Sequence, residues 1–138
     1  METRRAEIII NRPADEVWAR VREFVDVSWI PNTATSRMEG DVRIVQMQGN
    51  TFEVKQRILE HDDANRMYRY CLAIELDLSA VYGPGSKVEH LVATLAVAPK
   101  GEDASWVTYD IDTHEFMVAS VHAEYQGALA NLKALLEA

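Results

Sequence analysis

The stretch from Glu115 to Glu137 limits the possible folds of this chain more than any other. Val118, Val121, Tyr125, Ala128, Leu129, Leu132, Leu135 and Leu136 recur there at helical spacing, and no proline interrupts them. At ~1.5 Å per residue such a helix runs over ~30 Å. An apolar stripe of that length must be buried, so the rest of the chain has to supply a surface broad enough to receive it. Asp112 or Thr113 is placed to cap the helix, and Glu115 stands where a capping box beginning at Asp112 would need it.

The surface on offer is a sheet. Arg4 to Asn11 alternate as a strand with Ala6, Ile8 and Ile10 on one face. Pro13 then opens a short helix at the position where its missing N–H is harmless, with Asp15 and Glu16 in the first turn and an apolar stripe of Val17, Trp18, Val21, Phe24 and Val25. A second short helical segment is expected from Asp26 to Ile30, ended by Pro31. The clearest hairpin joins Val42–Gln48 to Thr51–Leu59 through Gly49-Asn50, a two-residue turn with Gly at its first central position. Its register sets Met47 opposite Phe52, Val45 opposite Val54 and Arg43 opposite Gln56, all on one face.

The same face continues through Tyr68, Tyr70, Leu72 and Ile74. Strands over Lys87–Ala98 and Ser105–Thr113 turn Leu91, Ala93, Leu95 and Val97, then Val107, Tyr109 and Ile111, to one side. With Thr33–Glu39 the total is about seven strands, mostly linked as hairpins. The expected fold is therefore α+β: a curved antiparallel sheet of seven strands around the long C-terminal helix, with two short helices after the first strand. It forms one domain over residues 1–138.

Composition narrows the function. Hydrophobic residues at 48% and charged residues at 26% are globular proportions. A net charge of -8 repels both a phosphate backbone and an anionic lipid surface, so nucleic acid is an unpromising partner. Cys71 is the only cysteine, which rules out an intramolecular disulfide and fits a reducing cytoplasm. No run approaches the ~18 apolar residues of a membrane span, and a cytoplasmic location is the expectation.

The order strand, two short helices, six strands, long helix is the helix-grip arrangement. Arg12-Pro13-Ala14-Asp15-Glu16-Val17-Trp18, Trp29-Ile30-Pro31-Asn32 and Gln56-Arg57-Ile58-Leu59 lie in order along the chain. Arg66-Met67-Tyr68-Arg69-Tyr70, Ala93-Thr94-Leu95-Ala96-Val97 and Val107-Thr108-Tyr109 follow them. Through these motifs the sequence resembles the bacterial polyketide cyclase/dehydrase-like branch of the START and Bet v 1-like superfamily (SRPBCC). The resemblance implies a cavity between sheet and long helix for a small hydrophobic or aromatic molecule such as a lipid, polyketide or quinone. Some members of the branch catalyse cyclisation or dehydration in that cavity and others only bind. The chain departs from the branch at Gln56, where an acid is usual, and in the Leu78–Ser86 connection.

Against that background Trp29, Met47, Phe52, Val54, Tyr68, Leu72, Tyr109, Val121 and Tyr125 are expected to line the pocket, with Gln56 as a polar contact and Tyr82 in a gate-like loop. Arg43, Tyr70 and His122 are the candidates for catalysis: Tyr70 and Arg43 to stabilise an enolate, His122 to move a proton. Two placements of Arg43 stay open, one buried on the apolar face and one with its head group reaching solvent. The histidines form no ligand pattern, and neither a metal nor a cofactor is expected. Three functional readings follow: a binder of a small hydrophobic or aromatic ligand, a cyclase or dehydratase on the same pocket, and a protein-interaction or quinone-chaperone module using outer-face residues such as Ile9, Val88 and Val92. Oligomeric state is left open, with a homodimer as one option.

Overall fold

A computed structural model describes residues 1–50, 52–79 and 83–138. The elements are β1 (Glu2–Ile10), α1 (Ala14–Val21), β2 (Thr33–Glu39), β3 (Val42–Met47), β4 (Glu53–Asp62), β5 (Met67–Leu72), β6 (Leu76–Asp77), β7 (Lys87–Val88), β8 (Leu91–Pro99), β9 (Ser105–Thr113) and α2 (Glu115–Glu137). Seven strands form one antiparallel sheet in the order β1-β9-β8-β5-β4-β3-β2, and β6 with β7 makes a separate small ladder. This is the helix-grip arrangement, with α2 lying along β1 and β9.

The alternation of apolar residues sets the inner face. Ala6 and Ile10 of β1, Ala93, Leu95 and Val97 of β8, and Val107, Tyr109 and Ile111 of β9 are buried beneath Ala128, Leu129 and Leu132 of α2. Gly49 takes φ 77°, a conformation open to glycine at little cost, and the register that follows pairs Val45 with Val54 and Arg43 with Gln56. Met47 N–H donates to Phe52 O at 3.1 Å across the same turn.

Five expectations are corrected. Residues 26–30 are not a helix: Asp26 N–H bonds Glu23 O and Ile30 N–H bonds Val27 O, giving isolated turns. The long helix is not capped by Asp112 or Thr113. Its N-cap is His114, without a side-chain cap bond, because Asp112 is engaged by His90 and Thr113 donates to His90 O. Lys87–Ala98 is not one strand, since the amides of Glu89 and His90 turn to His114 Nε2 at 3.2 and 3.3 Å and leave the ladder there. Val88 consequently faces inward, 1% exposed, and cannot serve an outer interaction surface. Ile74 falls beyond the end of β5 and is exposed.

Candidate functional site

The helix covers the sheet unevenly. Leu129 and Leu132 close tightly on β1 and β9, whereas toward β3, β4 and β5 the sheet curls away from the first half of α2 and leaves a cavity of about 270 Å³. Its wall is formed by Val45 and Met47 of β3, Val54 of β4, Leu72 of β5, Val88, Leu91, and Met117, Val121, Tyr125 and Ala128 of α2. Phe52 joins it from the β3–β4 turn, and Val27, Ile30 and Leu78 from the connections. A cavity of ~150 Å³ accommodates one benzene, so this space suits about two rings.

Polar groups are few and concentrated. Arg43 is 2% exposed, which decides between its two expected placements in favour of the buried one. Its Nε–H donates to Gln56 Oε1 at 2.9 Å, an Nη2–H reaches the same oxygen, and Nη1–H donates to Phe24 O at 2.6 Å. The guanidinium lies 4.0 Å from the Phe24 ring centroid and 5.1 Å from that of Tyr70, in cation–π geometry. Hairpin register alone brings Arg43 and Gln56 together, and the turn at Phe24 supplies the third contact.

Beside it three tyrosines share a hydrogen-bond junction. Tyr70 Oη bonds Tyr109 Oη, and Tyr125 Oη at 3.0 Å, while the Tyr109 and Tyr125 rings stack with centroids 4.1 Å apart. Burial raises the pKa of Tyr109 and Tyr125 well above the usual phenol value, so these hydroxyls remain protonated and able to donate.

The cavity does not take every residue expected of it. Tyr68 shares the parity of Tyr70, yet it packs away from the cavity against Trp18, Phe24 and His61. The cause is α1: Trp18 Nε1–H donates to Asp63 at 2.9 Å and Arg22 clasps the same carboxylate, so this corner pins the helix over that end of β5. Hydrogen bonding to Arg22, then to Trp18, holds the Asp63 carboxyl below its ordinary pKa. Trp29 is fully buried in the core beside Tyr109, outside the cavity lining, and its Nε1–H is a buried donor without a partner among the described residues. His122 is turned to the other side of α2, where its Nε2 meets Arg5 O of β1 at 3.0 Å. It does not reach the cavity, so the proton-moving role expected of it lacks the required position. Tyr82 lies outside the described residues.

One titratable residue was missed. Glu124 lines the cavity at its exposed rim, and the atoms crowded around its carboxyl raise its pKa by desolvation. The signal lay in the helix itself, since Met117, Val121, Glu124 and Ala128 follow one another at three- and four-residue steps on one face. An apolar-stripe reading passes over a carboxylate at such a position. Among the described residues no group of His, Cys, Asp and Glu is gathered in a way that would hold a metal ion. No described helix is long and apolar enough to cross a membrane.

Comparison with known proteins places this geometry in context. A sequence model described as "Polyketide cyclase / dehydrase and lipid transport" matches residues 1–137. No curated protein matches the chain in sequence. Among solved structures, an uncharacterized protein from Bacillus thuringiensis superposes with a TM-score of 0.84 at 18% identity, over 99% of this chain and 100% of the other. The di-domain ARO/CYC BexL from the BE-7585A biosynthetic pathway gives 0.79 at 20% identity over 99% of this chain, which spans 47% of BexL. Norcoclaurine synthase from Thalictrum flavum, in complex with dopamine and hydroxybenzaldehyde, gives 0.69 at 17% identity, covering 98% and 86% of the two chains.

Proposed function

The chain belongs to the polyketide cyclase / dehydrase and lipid transport family, within the START and Bet v 1-like superfamily, and from that premise we propose that its cavity binds a small hydrophobic or aromatic ligand. The observation that carries the proposal is the cavity itself: about 270 Å³ between sheet and α2, walled mainly by aliphatic side chains, with its hydrogen-bonding groups gathered around Arg43 and Tyr70. An apolar wall with a few convergent polar groups gives affinity through burial and orientation through hydrogen bonds. One structural neighbour, norcoclaurine synthase, is in complex with dopamine and hydroxybenzaldehyde, both aromatic, and this supports an aromatic occupant.

A native mass spectrum of the purified protein and a fluorescence titration with naphthol test this reading. Saturable naphthol binding is expected, and Val54→Trp, which fills the cavity from β4, should weaken it at least about tenfold, or ~1.4 kcal/mol. Binding that is absent, or that the filled variant leaves unchanged, would count against the cavity as the site.

A cyclase or dehydratase on the same pocket is favoured by one specific observation: Arg43 and Tyr70 both line it, so N–H and O–H donors face the space where an enolate would develop. In that reading Glu124, the lining carboxyl, takes the proton, because His122 is committed to Arg5 O.

A further inference from the structure

The polar wall of the cavity is unbalanced. Arg43 carries a full positive charge at 2% exposure, yet none of its three hydrogen bonds ends on a carboxylate; the partners are a neutral amide and a backbone carbonyl. A buried cation that lacks a counter-charge is costly, and protein structures rarely leave one in that state. Because both guanidinium donors on that side need an acceptor, the Gln56 oxygen faces Arg43 and its NH₂ is turned away. The amide therefore adds two further donors to the lining.

Counting protons extends the argument. Three tyrosine hydroxyls bring three protons to the junction at Tyr70, and its two hydrogen bonds consume two of them. One O–H is left without an acceptor among the described residues, whichever way the bonds run. The guanidinium has five N–H groups. Three are used above. Deep in the cavity, donors thus outnumber acceptors and the fixed charge is positive. Among the described residues Glu124, at the rim, is the sole carboxyl of the lining, and Arg43 makes its hydrogen bonds to Gln56 and Phe24 instead.

We infer that the ligand supplies the missing charge: it is an aromatic acid of about two rings, whose carboxylate seats against Arg43, Gln56 and the Tyr70 junction while its rings fill the aliphatic space beneath α2. This rests on the cavity being the ligand site and goes beyond it by fixing the charge and orientation of the occupant.

The test uses naphthoic acid and its neutral carboxamide, which have nearly the same shape, in calorimetric titrations of the wild-type protein and of Gln56→Glu. In the wild type the acid should bind at least about tenfold more tightly than the amide, or ~1.4 kcal/mol. In Gln56→Glu a carboxylate of the same length neutralises Arg43 internally, so the acid should lose that advantage while the amide still binds. Equal wild-type affinity for acid and amide, or an acid preference that survives in Gln56→Glu, would overturn the inference and leave the cavity reading intact. If neither probe binds, the cavity reading itself falls, and the inference with it. Should Gln56→Glu fail to fold, the wild-type ratio of the two affinities decides alone.

Discussion

Tyr70, Tyr109 and Tyr125 come from β5, β9 and α2, so their shared hydroxyl junction ties the covering helix to strands on both sides of β8. Removing the central oxygen strands its neighbours: Tyr70→Phe leaves the Tyr109 and Tyr125 hydroxyls without each other's bridge in a buried setting. A loss of about 1–3 kcal/mol in urea unfolding is expected. Tyr125→Phe, which deletes one bond of 3.0 Å and leaves the other in place, should cost less, about 0.5–1.5 kcal/mol. Phenols kept protonated by burial act here as donors and not as bases, so chemistry that needs a base must find it elsewhere in the lining. At this scale the sequence was legible where a turn fixed a register. Gly49 places Arg43 against Gln56, and the alternation of β5 puts Tyr70 on the inner face. Tyr68 has identical parity and a different fate, because parity names a face of the sheet and cannot tell which part of that face another element will cover.

Within α2 the two halves do different work, and the helix offers an internal comparison. Leu129 is fully buried against the β1–β9 side, and Leu129→Ala should cost about 2–5 kcal/mol by thermal or urea unfolding. Leu135 has the same chemistry and the same helical spacing, but it is 47% exposed near the end of the helix. Leu135→Ala should therefore stay within about 0.5 kcal/mol of the wild type. The apolar stripe was readable from spacing alone, as was the extent of the helix. How far the sheet follows the stripe before curling away was not, since curvature comes from twist and from irregularities such as the register shift between Ile58 and Glu60 in β4. That curl converts the first half of α2 from core to cavity wall. The short β6–β7 ladder turns Leu76 and Val88 inward, and just beyond it His114 takes the amides of Glu89 and His90, a partnership no local pattern announces.

For the molecule as a whole, the cavity leaves a pH signature through Glu124. Desolvation raises its folded pKa above the ordinary 4.5, so folding favours the protonated carboxyl. Below about pH 4 it is protonated in both states and costs nothing; as pH rises from there through the folded pKa, stability is lost. Glu124→Gln should accordingly match the wild type in urea unfolding at pH 4 and exceed it at pH 8, and an equal difference at both values would count against this origin. What the sequence determined by itself is the architecture. Strand alternation, one well-defined hairpin turn and a long apolar helix leave few arrangements in which all the apolar faces are buried, because period and parity are local properties of the chain. Tertiary structure alone decided which inward residues meet open space and which meet one another. That depends on sheet curvature, on α1 clamped over Tyr68, and on which side of α2 faces β1. For that reason His122, Trp29 and Tyr68 fall outside the cavity while Glu124 and Val88 fall within it.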